Sequence, residues 1–256
     1  MSDFDRNLAA ARGAGAERAV AIDQGLRAHL IRVYNYMTGG VALTGVVAWL
    51  TYQLAGGDAI AVSRGVITGL TPFGQAVFNS PLLWVFLLAP LALVFVISFG
   101  INRLSAGTAR ALFFLYAGLL GLSLASIFLA YTQGSITRVF FISAAAFGTL
   151  SLWGYTTQRD LSGMGSFMIM GLFGLIIAML VNVFLKSSGL DWALSVMGVL
   201  IFAGLTAWDT QKIKEFYDPM DDGTIAGRKA VMGALSLYLD FINMFLMLLR
   251  LVGDRR

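Results

Sequence analysis

The chain has 256 residues, 58% of them hydrophobic and only 12% charged, with a mean hydropathy of +0.78. A soluble domain carries about 25% charged residues, so this composition describes an integral membrane protein of several spans. With no cysteine and a single histidine, His29, the chain has no disulfide framework, thiol nucleophile or Cys- or His-rich metal cluster. The net charge of +4 is spread over short connectors, which fits membrane topology and not nucleic-acid binding.

Residues 1–30 are polar and rich in Ala, Gly and Arg. No apolar run or small-residue cleavage site of a secretory signal is present there. The expectation for residues 1–35 is a cytoplasmic tail ending in a juxtamembrane helix, with His29 on a solvated surface. A seven-span membrane domain over 36–253 follows. Its first segment covers Tyr36–Leu54 and opens on Gly39 and Gly40, where another helix can approach closely. A connector, Ala55–Pro81, leads to the second segment, Leu82–Phe99, in which Pro90 is tolerated as membrane helices allow. The third and fourth segments are Ala111–Tyr131 and Val139–Tyr155; the fifth and sixth are Phe167–Leu185 and Trp192–Trp208. A charged loop from Asp209 to Lys229 precedes the seventh, Val231–Gly253. Each segment is close to the roughly 20 residues needed to span. With the N-terminus inside, twelve of the 18 Lys and Arg residues fall on inner connectors, which sets the orientation. Arg250, Arg255 and Arg256 dissent, and a re-entrant last segment would place them inside as well.

The seventh segment carries Asp240 near its middle. An aspartate at the centre of a membrane helix costs roughly 2.5–3.5 kcal/mol on insertion scales, so it needs a protein interior, a watery cavity or a partner. At helical spacing Gly233, Ser236, Asp240, Asn243, Met247 and Arg250 share one stripe, whereas Leu235, Phe241, Phe245 and Leu248 lie off it. The pattern describes a central helix with its polar face turned inward. The plainer alternative is that Asp240 only hydrogen-bonds a neighbouring helix.

Two phrases resemble the Bax inhibitor-1 family (transmembrane Bax inhibitor motif proteins), in its bacterial YccA-type branch. Ala207-Trp208-Asp209-Thr210-Gln211-Lys212-Ile213 resembles the Asp-x-x-x-Ile close of that family's sixth helix. Ala234-Leu235-Ser236-Leu237-Tyr238-Leu239-Asp240-Phe241-Ile242-Asn243, followed by Leu248-Leu249-Arg250, is similar to its longer and more specific signature. The resemblance covers about Tyr36 to Gly253. It implies an all-α integral membrane fold with six helices wrapped around a central C-terminal seventh, in the bacterial inner membrane with a cytoplasmic N-terminus. It also implies a pH-sensitive calcium leak, in which Asp209 and Asp240 form a proton-dependent latch and Arg103 engages the pair in the closed state. The alternatives are a solvated helix-end carboxylate for Asp209 and a positive-inside anchor for Arg103.

Helix six should end inside, near Asp209, and helix seven should start inside, which puts Asp240 about 15 Å along it. Contact therefore requires helix seven to start outside the membrane, or Asp209 to lie within it. Two carboxylates brought together in a low-dielectric site cannot easily both ionise, which makes a proton switch without a histidine. Calcium takes six to eight oxygens. Asp209 and Asp240, with Ser236 and Asn243 lining the path, offer a transient calcium site that releases the ion, as conduction requires. Asp218, Asp221 and Asp222 lack the alternating ligands and terminal Glu of an EF-hand. No catalytic constellation is present, so no enzyme activity and no cofactor are expected; calcium is cargo. The expected partners are the lipid bilayer, calcium ions and a membrane-bound protease. The competing function is a non-conducting regulator of such a protease or of stress-survival machinery, with the polar tail as its handle.

Overall fold

The computed structural model describes the backbone of residues 3–63 and 66–256, and the side chains of residues 23–62 and 67–256. Side-chain expectations for residues 1–22, and the place of Arg64 in the charge count, lie outside the described residues. In chain order the elements are helix α1 (Asp3–Leu54), the short antiparallel pair β1 (Ala61–Ser63) and β2 (Val66–Thr68), and helices α2 (Pro72–Phe78) and α3 (Leu82–Gly100). Then come α4 (Ala106–Leu124), α5 (Ile127–Ala130), α6 (Gln133–Thr156), α7 (Ser162–Leu185), α8 (Ser188–Glu215) and α9 (Gly223–Val252). Among the described residues the protein is all-α apart from that small antiparallel pair.

Among the described residues, six stretches are long and apolar enough to cross a membrane: 82–103, 106–130, 133–156, 162–185, 188–215 and 223–252. The first expected segment, Tyr36–Leu54, is the C-terminal part of the 52-residue helix α1. Its apolar residues are diluted by Thr38, Gly39, Gly40, Thr44, Gly45, Thr51 and Gln53, which weakens its hydropathy. No turn separates tail from first segment, because α1 runs through that boundary unbroken. The expected third segment is interrupted: α4 stops at Leu124, and α5 resumes after Ala125 and Ser126. The connector 55–81 is also more ordered than its composition predicts. Thr71 caps α2, accepting a hydrogen bond from the Gly74 amide at 3.1 Å, with Pro72 at the first helical position.

Helix α9 starts eight residues before the apolar run. The Asp222 side chain accepts from the Thr224 and Ile225 amides at 2.8 and 2.7 Å, a cap that fixes the start at Gly223. α9 packs on α8, α1, α6 and α4. Of its candidate membrane stretch 67% is buried, against 6% for α7, so α9 is an interior helix and α7 faces outward. The helix crosses the bundle from end to end. Near its start, His29 of α1 meets Tyr217 of the α8–α9 connector with ring centroids 5.7 Å apart. At the far end Arg256 donates to the Tyr52 hydroxyl at 3.0 Å, and Arg138 pairs with Asp254 at 2.9 Å.

Close helix contacts are set by small residues. A Cβ at Gly154 of α6 would collide with the Ala207 carbonyl oxygen of α8, and one at Gly165 of α7 would collide with the Trp208 indole. These two glycines let α6 and α7 approach α8 just beside Asp209. Hydroxyls link the same region: Ser151 and Thr210 lie 3.0 Å apart, and Ser151 also bonds the Tyr34 hydroxyl. Deeper in the core, Thr44 of α1 donates to the Ala117 carbonyl at 2.8 Å and accepts from the Tyr238 hydroxyl of α9 at 2.6 Å.

Candidate functional site

Asp209 sits six residues before the end of α8, and the early start of α9 brings Ser236 level with it. Ser236 stands beside the Asp209 carboxyl, and Asp240 follows one turn further along α9. Asp209 and Asp240 border the same cavity. Asp240 is only 5% exposed, and its Oδ2 has no hydrogen-bond partner among the described residues. An orphaned buried carboxyl oxygen is costly. Asn243 is half-buried and spends its amide on the Leu239 carbonyl at 2.8 Å.

Two cavities lie along α8 and α9. The first, of about 490 Å³, is bordered on α9 by Ile225, Arg228, Lys229, Met232, Gly233 and Ser236. The second, of about 430 Å³, is bordered on α9 by Ser236, Leu239, Asp240, Asn243 and Met247, and on its other sides by α7 and α8. Asp209, Lys212 and Ser236 line both. The polar stripe of α9 therefore faces a chain of cavities. Residues expected to lie off the stripe, such as Leu235, Phe241 and Phe245, are buried against protein too.

The expected cation is elsewhere. Arg103 ends the one-turn extension of α3, is exposed, and lines neither cavity. The cations around the first cavity are Lys212, Arg228 and Lys229. Arg228 Nε donates to the Leu104 carbonyl at 2.6 Å, and Lys229 pairs with Asp221. Periodicity along α8 could have pointed to Lys212, which lies one turn after Asp209; Arg228 and Lys229 read only as loop charges until the Asp222 cap placed them on α9.

His29 corrects its solvated reading. It is 6% exposed, lines the first cavity and packs on Tyr217, because α1 continues past it as helix and lays it against the α8–α9 connector. Burial, then the positive charges of Arg32 and Lys229, hold its pKa below the ordinary value against the opposing pull of Asp221. The acidic loop is structural: Asp222 caps α9, Asp221 pairs with Lys229, and Asp218 accepts from the Met220 amide at 2.9 Å. Among the described residues no three His, Cys, Asp or Glu side chains gather as a metal centre would need.

Residues 26–256 match the family described as Inhibitor of apoptosis-promoting Bax1. The chain belongs to the Bax inhibitor-1 family. The chain is 45% identical over 235 residues to the inner membrane protein YbhL of Escherichia coli K12, covering 91% of this chain and 94% of that one. An uncharacterized protein of Rickettsia prowazekii is 44% identical over 91% of this chain and 92% of its own length. A Caulobacter vibrioides protein is 41% identical over the whole of both chains. Family membership spans all six membrane-length helices and both cavities, so this is an integral membrane protein of the Bax inhibitor-1 family.

Proposed function

We propose that this protein is a pH-sensitive calcium leak channel of the bacterial inner membrane, with the C-terminal part of α1 as a span beside the six, so that six spans are arranged around α9. The observation that carries this reading is the pair of cavities in series, meeting at Asp209 with Asp240 one turn beyond. About 33 Å of helix separates Ile225 from Met247 at 1.5 Å per residue, against a hydrocarbon core of about 30 Å. A file of cavities of that length, carrying two carboxylates and two amide or hydroxyl side chains, is the layout of a cation path. Two carboxylates bind calcium weakly enough to let it leave. The charge bias of the connectors supports a cytoplasmic N-terminus, and the name of the E. coli relative supports the inner membrane.

In this reading one proton shared between Asp209 and Asp240 keeps α8 and α9 together. Loss of that proton leaves two negative charges side by side, relieved by helix separation or by admission of a cation, so flux rises as pH rises. Arg103 is proposed as a latch cation that balances the pair when closed, reaching it by a movement of the α3 end. Purified protein in liposomes, loaded with a calcium dye and tested over a pH series, decides the matter. Flux that rises with pH and is flattened by Asp209→Asn and by Asp240→Asn supports a channel. Flux that is absent, or flat in the parent, counts for the non-conducting regulator of a membrane-bound protease.

A further inference from the structure

We infer that Lys212 is the gating cation of the septum between the two cavities, a role that rests on the conduction reading above. Three side chains border both cavities, and two of them, Asp209 and Ser236, are short. Lys212 is the long one, half-buried at the junction. Its Nζ lies 4.7 Å from the Trp208 ring centroid and 5.6 Å from that of Phe216, and among the described residues it forms no ion pair. Its charge is therefore held over aromatic faces, an attraction that a small displacement breaks.

The other cations near the path are committed elsewhere. Arg228 is tied to the Leu104 carbonyl, Lys229 is paired with Asp221, and both border the first cavity alone. The septum thus has a fixed half and a movable half. Trp208 is fixed, because its indole is seated on Gly165 of α7, where any Cβ would collide with it. Lys212 is movable: a four-carbon stem lets its ammonium swing from the Trp208 face towards Asp209, one turn back on the same helix. With the ammonium in the septum a divalent cation meets a like charge and is turned back. With the ammonium withdrawn, Asp209 and Asp240 present uncompensated oxygens to the path. Lys212 acts on the ion by its charge, so its removal changes which reagents pass and not merely how tightly the helices pack.

The absence of cysteine makes a clean test possible. Asn243→Cys places a single thiol on the second cavity, beyond the septum, and its reaction with charged methanethiosulfonates is followed in sealed vesicles of known orientation. The reagents, one carrying an aminoethyl cation and one a sulfonatoethyl anion, are added from the side of the first cavity. In the Lys212→Met background the cationic reagent should react at least about tenfold faster, equivalent to about 1.4 kcal/mol, with no acceleration of the anionic one. Lys212→Arg should keep the parental rates. Equal cationic rates with and without Lys212 overturn the assignment. So does parallel acceleration of both reagents, which reports loosened packing and not lost charge. Calcium flux in the same vesicles separates the two ideas. A parent that carries no calcium defeats the channel reading, while the labelling ratio still decides whether Lys212 closes the septum.

Discussion

Replacing Asp240 by Leu should make the protein less responsive to pH and, above the pH at which a proton bridges Asp209 and Asp240, more stable. Leu has the same number of side-chain heavy atoms as Asp and the same branching, so the substitution keeps the shape of a site that is 5% exposed. What it removes is a carboxyl whose Oδ2 is buried without a partner. An unsatisfied buried polar group costs about 1–3 kcal/mol, and repulsion from Asp209, which borders the same cavity, adds to that cost whenever both carboxylates are ionised. Relief of the first cost alone should raise the melting temperature in mild detergent by roughly 2–4 °C per kcal/mol for a chain of this size. Asp240→Asn keeps a polar group in place and should melt close to the parent. The assay is thermal unfolding of the three proteins side by side, with calcium flux measured on the same preparations. A lower melting temperature for Asp240→Leu would mean that the carboxyl makes net stabilising contacts, and would refute the view that it is retained for function at a cost in stability. Undiminished pH-dependent flux in Asp240→Leu would refute its part in the switch.

Further expectations concern the frame around the pair. His29 has its pKa lowered in the folded protein, so the unfolded chain takes up the proton first as pH falls. Stability should therefore decline below about pH 6.5, by at most about 1.4 kcal/mol per pH unit, and His29→Gln should flatten that decline in melts taken between pH 7 and 5. Gly154→Ala forces α6 away from the Ala207 carbonyl and should cost about 1–3 kcal/mol; an unchanged melting temperature would show that the helices do not need this approach. A reporter fused after Arg256 should be active only on the face opposite the N-terminus, since residues 254–256 pack on Tyr52, Asp58 and Arg138 at the far end of α1. Cytoplasmic activity of that fusion would instead favour a re-entrant α9.

The class, the family and the two aspartates were legible in the residues alone. Membrane segments are legible because hydrocarbon imposes one rule on every residue of a spanning helix, and the two Asp phrases stand out because charge there is costly. That both border one cavity depended on tertiary structure. The Asp222 cap extends α9 back to Gly223, and only that extension, in antiparallel register with α8, lifts Ser236 to the level of Asp209. The stripe named the polar face of α9 in advance, but that this face lines cavities, and which helices cover the other faces, was decided by packing. His29 looked solvated because it lies in an N-terminal stretch that is polar as a whole, and the chain that covers it, around Tyr217, lies nearly two hundred residues away. Arg103 and Lys212 make the same point in opposite senses. Local charge order gives both equal weight, whereas the three-dimensional packing leaves the first exposed and sets the second at the junction of the two cavities.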